Sequence, residues 1–124
     1  MRKLLLAPAL ALAASAAIAA PGAGAATVHA TANVVTLTAV KSGLRYDKKA
    51  VTSKAGRITL VFRNLSPLKH DVRLEIGEKE FGGTKAIGTG TTKIVVTLKA
   101  GKYHFYCSVP GHEAAGMSGY LTVS

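Results

Sequence analysis

The stretch GRITLVFRN, residues 56–64, alternates apolar and polar side chains, and the same alternation recurs along most of the chain. Ile58, Leu60 and Phe62 fall on one face of it, Thr59 and Arg63 on the other. A period of two belongs to a strand, whose successive side chains point to opposite sides. NVVTLTAV (33–40), HDVRLEIG (70–77), TKIVVTLKA (92–100), KYHFYC (102–107) and GYLTVS (119–124) repeat the pattern, each bounded by Gly, Pro, Ser or Asn. No segment carries a convincing helical period. Residues 77–90, rich in glycine, read as a longer connection with one short strand at Lys79–Phe81, and Lys99–Lys102 as a tight hairpin turn around Gly101. Six or seven short strands within about a hundred residues predict an all-β fold, an antiparallel Greek-key β-sandwich.

The first residues do not fit that pattern. Met1-Arg2-Lys3 is a basic start, and Leu4–Ala20 is an unbroken apolar run rich in alanine and leucine. Small residues at Ala17–Ala19 and again at Ala23–Ala26 suit a signal peptidase. The layout predicts a secretory signal peptide over 1–26, cleaved somewhere within 19–26, and one domain over 27–124. A retained anchor is the alternative, but the run is barely long enough to span and contains Pro8. With no cysteine near the cleavage region, a lipid anchor there is excluded. The expected destination is the periplasm or the extracellular space, with no membrane span after cleavage.

Charge bounds the partners. Removing Arg2 and Lys3 from the 16 basic residues leaves 14 against 6 acidic ones, a formal charge of +8. Such a surface favours acidic partners or anionic membrane surfaces by a long-range attraction that salt weakens. The basic residues are scattered, with no stripe and no aromatic platform, which argues against nucleic acid as a partner. A monomer is expected.

Cys107 is the only cysteine, and exported domains ordinarily carry cysteines in pairs. It opens CSVPGHEAAGM, in which His112 follows five residues later and Met117 five after that. Strand parity puts Cys107 on the side of Tyr103 and Phe105, and His70 on the side of Val72, Leu74 and Ile76. Both therefore point inward at strand ends, and the 108–117 loop returns His112 and Met117 to the same pole. Two imidazoles, a thiolate and a weak thioether suit copper in an electron-transfer site. Zinc would use the first three donors but gains little from a thioether. Taken singly, each residue has a plainer reading: a core histidine, a buried inert thiol, a packing methionine. Their joint spacing outweighs those. His104 has the opposite parity to Cys107, and His29 lies in a loose N-terminal stretch, so neither is expected to join the set. A Cys–His nucleophilic enzyme would need an orienting group and a cleft for which so small a domain has little room, so no enzymatic activity is expected.

GKYHFYCSVPGHEAAGMSGYLTV and AGRITLVFRNLSPLKHDV together resemble the cupredoxins, the small type 1 (blue) copper proteins of the plastocyanin, auracyanin and azurin group. The resemblance covers about residues 33–124. It implies an eight-stranded sandwich holding one copper ion through His70, Cys107 and His112, with Met117 axial, and carrying single electrons between redox proteins. It also implies that Asn64 leads into the short loop before the first histidine and lies behind the ligands, and that the residue after that histidine knits the ligand loops together. That second residue is usually Asn and is Asp71 here, which puts the reduction potential in question. The histidine nearer the C-terminus usually reaches the surface through an apolar docking patch, here His112 with Pro110, Ala114, Ala115, Leu44 and Leu68. Buffering or delivery of copper outside the cytoplasm is the alternative function for the same ligands.

Overall fold

The computed structural model describes residues 33–124. The expected signal peptide, its cleavage region and His29 lie outside the described residues. Eight strands run through the described chain: β1 (Asn33–Ala39), β2 (Ala50–Ser53), β3 (Gly56–Asn64), β4 (Arg73–Ile76), β5 (Lys79–Gly83), β6 (Gly90–Leu98), β7 (Gly101–Tyr106) and β8 (Ser118–Val123). They form a three-stranded sheet ordered β1-β3-β6 and a five-stranded sheet ordered β2-β8-β7-β4-β5. No described helix is long and apolar enough to cross a membrane.

The alternating faces close on one another as the period of two requires. Val35 and Leu37 of β1, Ile58, Leu60 and Phe62 of β3 and Leu98 of β6 meet Leu74, Tyr103, Phe105, Leu121 and Val123 of the other sheet, all at most 5% exposed. Tyr46, from the loop before β2, lies edge-on to both Phe62 and Phe105, with ring centroids 6.2 and 5.5 Å away. Removing each large side chain from water contributes about 1.5–3 kcal/mol. The core therefore outweighs any single polar contact of the fold.

The all-β sandwich expected from the sequence is what forms, with mostly antiparallel pairs; β1 with β3 and β2 with β8 are parallel. Two other sequence expectations are corrected. Residues 99–100 do not make a hairpin: β6 and β7 belong to different sheets, so this short turn carries the chain across the sandwich. Near-consecutive apolar runs fix a turn's length, but not whether its two strands pair. The run from His70 is strand only from Arg73, and its alternation breaks on either side. His70, Asp71 and Val72 are all buried, whereas Ile76, expected inside, is 44% exposed at the far end. Strand β2, with its exposed AVTS, was not anticipated.

Gly119 of β8 is a point of close approach to its neighbours on both sides within the five-stranded sheet. A Cβ there would lie 2.4 Å from both the Lys49 carbonyl oxygen and the Phe105 ring. Gly119→Ala is expected to lower stability by roughly 1–3 kcal/mol, as overpacking does. Gly88→Ala, where a Cβ meets nothing within 4 Å, is expected to stay near wild type. Urea denaturation of the two variants measures the difference.

Candidate metal centre

The β4–β7 ladder sets the site. Arg73 pairs with Tyr106, Leu74 with Phe105 and Glu75 with His104. Continuing past its end, the ladder brings Cys107 and Ser108 level with the chain leaving His70. Two hydrogen bonds extend it there: the Ser108 N–H donates to Asp71 Oδ1 at 2.7 Å, and the Ser108 hydroxyl donates to Asp71 Oδ2. Asp71 thus ties Ser108 to the chain leaving His70 through its carboxylate, as an acceptor only. Its carbonyl accepts the Tyr46 hydroxyl.

His70 is fixed from the other side. Its backbone exchanges hydrogen bonds with Ile87 at 3.1 and 3.0 Å. Asn64, fully buried, donates through Nδ2 to the carbonyls of Leu68 and Ile87 at 2.7 and 2.8 Å, and accepts the Ser66 N–H at 2.9 Å. One amide therefore closes the 65–69 loop and ties it to the strand partner of His70. Val72 is held likewise, its N–H donating to the Thr84 hydroxyl at 3.0 Å.

The remaining donors come from the β7–β8 connection. Tyr106 pairs with Ser118, and just beyond them the Cys107 N–H donates to the Met117 carbonyl at 3.1 Å. Between them the chain folds into consecutive turns. His112 N–H donates to Val109 at 3.0 Å, Gly116 N–H to Glu113 at 2.9 Å and Met117 N–H to His112 at 3.1 Å. Gly111 and Gly116 sit at φ of +84° and +106°, a left-handed backbone that other residues adopt only with strain. The Lys49 ammonium donates to the Gly116 carbonyl at 2.6 Å and fastens the end of this loop to the start of β2.

Three donor atoms converge. His70 Nδ1 and His112 Nδ1 are 3.0 Å apart, and Cys107 Sγ lies 3.8 and 3.6 Å from them. His70 and Cys107 are at most 1% exposed, His112 is half-buried, and Met117 is fully buried beside Cys107 in the hairpin mouth. Burial pushes the Cys107 thiol up from its ordinary value. Burial, and then His112, pushes His70 down. His70 is therefore held neutral, as a ligand must be. Its Nε2 is buried with no hydrogen-bond partner among the described residues. Two imidazole nitrogens and a thiol are thus aimed at one buried point, where a soft cation can take a donor pair from each. The donor set fits copper.

The sequence of residues 33–124 matches the profile of the copper binding proteins, plastocyanin/azurin family, and the chain belongs to that family. A search of curated proteins finds no match. Among solved structures, it is similar to the dithionite-reduced auracyanin of Roseiflexus castenholzii, at 27% identity and a TM-score of 0.70 over 75% of this chain and 98% of that one. Auracyanin A of Chloroflexus aurantiacus, a blue copper protein, gives 21% and 0.64 over 73% and 98%. Rusticyanin of Thiobacillus ferrooxidans gives 20% and 0.63 over 76% and 79%. The last two likenesses bear on fold alone.

Tyr46, Ser108, Thr84 and Lys49 escaped the sequence reading. Tyr46 sits in the polar stretch RYDKK, and only its aromatic ring hinted at burial. Ser108 was findable as the neighbour of Cys107. Asn64→Ala leaves the Leu68 carbonyl and the Ser66 N–H without a partner and takes one of two donors from the Ile87 carbonyl, and is expected to cost roughly 3 kcal/mol. Asn64→Asp should rescue little, because a carboxylate cannot donate. Thermal unfolding of the metal-free variants checks both.

Proposed function

We infer that this chain is an exported blue copper electron carrier, with His70, Cys107 and His112 as close ligands and Met117 in the weak axial position. The observation that carries this is the convergence of two imidazole nitrogens and one thiol within 3.0–3.8 Å, with Met117 tied to Cys107 through its backbone. Copper bound there supplies one-electron chemistry by cycling between Cu(II) and Cu(I). The protein's part is to keep the donors in place. Asn64, Asp71 and the turn hydrogen bonds hold them before any ion arrives, so little rearrangement accompanies a change of charge. No substrate-processing group is needed for that task, which supports a carrier and not an enzyme.

The two histidines divide the work. His70 is sealed inside, while His112 reaches the surface next to the exposed Pro110, Ala114 and Ala115. Leu68 is 52% exposed on the loop tied by Asn64, Leu65 on the same loop is 46% exposed, and Leu44 is half-buried. These apolar residues form the docking surface of the reading, with electrons passing through the His112 edge. The formal +8 outside the leader suits acidic redox partners. Burial of Cys107, His70 and Met117 disfavours ligand exchange, and so favours carrying electrons over delivering copper.

The copper-loaded chain is expected to show an intense thiolate-to-copper visible band that is lost on reduction and absent in Cys107→Ser. A colourless copper complex would overturn the reading. The Asp71 carboxylate stabilises the more positive Cu(II) state and thereby lowers the potential. Asp71→Asn is expected to raise it by on the order of tens of millivolts, as one charge nearby in a partly screened medium does. Voltammetry measures this, and an unchanged potential would contradict that role.

A further inference from the structure

A second cluster of metal-ligating side chains lies on the outer face of the five-stranded sheet. Glu75 of β4, His104 of β7 and Tyr120 of β8 stand in one cross-strand row, because Glu75 pairs with His104 and His104 with Tyr120. His104 Nδ1 is 3.0 Å from Glu75 Oε1, and its Nε2 is 4.0 Å from Glu113 Oε1 on the ligand loop. One ligand atom from each of the three residues falls within 4.8 Å of the others. We propose that Glu75, His104 and Glu113 form a second metal site, taking a divalent first-row cation such as zinc or Cu(II).

The chemistry of the donors sets the class. One imidazole and two carboxylates, with no sulfur, suit Zn(II) or Cu(II) and give Cu(I) little. The site therefore selects against the reduced ion that the thiolate centre stabilises. The imidazole is already oriented. Tyr106 stacks on it at 5.5 Å and 13°, Tyr120 lies 5.2 Å away, and Nδ1 stands 3.0 Å from Glu75 Oε1, so that these two atoms can share one ion in place of their hydrogen bond. Three donors at about 2.0–2.2 Å from one ion stand at most about 3.8 Å from one another, so one carboxylate must move by about an ångström. Glu113, 49% exposed on its loop, is the group free to do so, whereas Glu75 and His104 are about a quarter exposed. Water completes the coordination on the open side.

Charge favours a cation at this place despite the basic surface. Only 6 acidic residues occur in the chain, and Glu75, Glu80 and Glu113 gather around this one face. Burial, then Glu75 and Glu80, push the neighbouring Tyr106 hydroxyl up. Arg73 is engaged with Glu80, and Lys102 lies over the Tyr120 ring, so neither occupies the space between the carboxylates and His104. Glu113 follows His112 directly. A cation here would fasten the loop that carries His112 to β4 and β7.

Zinc titration by isothermal calorimetry tests the site, on the copper-loaded chain and in parallel on copper-free Cys107→Ser. The second protein keeps the result independent of whether the thiolate centre takes copper. One zinc per chain is expected in both, weakened roughly tenfold or more by either His104→Gln or Glu113→Gln, with the visible band of the copper-loaded chain unchanged. No zinc binding below millimolar concentrations, binding indifferent to both substitutions, or zinc uptake that bleaches the band would each overturn the proposal.

Discussion

The pairing of β4 with β7 is the interaction on which the metal centre depends. His70 and Cys107 are 37 residues apart, and only this ladder brings their ends to one pole. A slip of one residue would turn Phe105 and Leu74 out of the core, and a slip of two would carry Cys107 about 7 Å along the sheet. Leu74 and Phe105 are directly paired and both at most 1% exposed, so the register that aligns the donors is also the one that buries them. Packing therefore fixes the donor positions, and the ion is not asked to organise the fold.

Beyond the ladder the chain is irregular, and hydrogen bonds take over from packing. The buried polar side chains Asn64, Ser66, His70, Asp71 and Thr84 gather on the connections around this pole. Most are satisfied by backbone groups that have no ladder partner, which is why the loops can be both buried and precise in shape. Asp71 has the widest reach. Its carboxylate holds Ser108 next to Cys107, and its carbonyl takes the Tyr46 hydroxyl from the aromatic cluster beneath. Core, first histidine and thiol are thereby one mechanical unit.

Much of this could be read in the sequence, and the failures have physical causes. Strands β1, β3, β6, β7 and β8 were legible because each buries alternate residues of an apolar run. Cys107 and His112 were legible as neighbours because they stand five residues apart, whereas His70, 37 residues away, was placed with them only by expecting both to stand inward at strand ends. Strand β2 was not legible, since AVTS packs little and is defined by its parallel partner β8. Sheet membership at residues 99–100 was not either, for two strands joined by a short turn look alike whether they pair or face each other. Parity failed at Asp71, where the chain leaves the strand and a carboxylate is drawn inside by Ser108. It held for His104, which stands on the opposite face of β7 from Cys107, among groups from β4, β8 and the ligand loop that no local pattern could assemble.

The lone thiol follows from the same architecture. An unpaired cysteine in an oxidising compartment, the one proposed for this chain, is exposed to crosslinking whenever its thiolate can be reached. Cys107 is 1% exposed and burial keeps it protonated, so access and reactivity are both denied before an ion binds. A cation among the His70 and His112 nitrogens reverses the electrostatic balance at the sulfur alone, without moving the backbone that shields it. The fold can thus keep a single cysteine where most exported domains would need two, because the environment that makes it a poor nucleophile also makes it a position to which a soft metal is drawn.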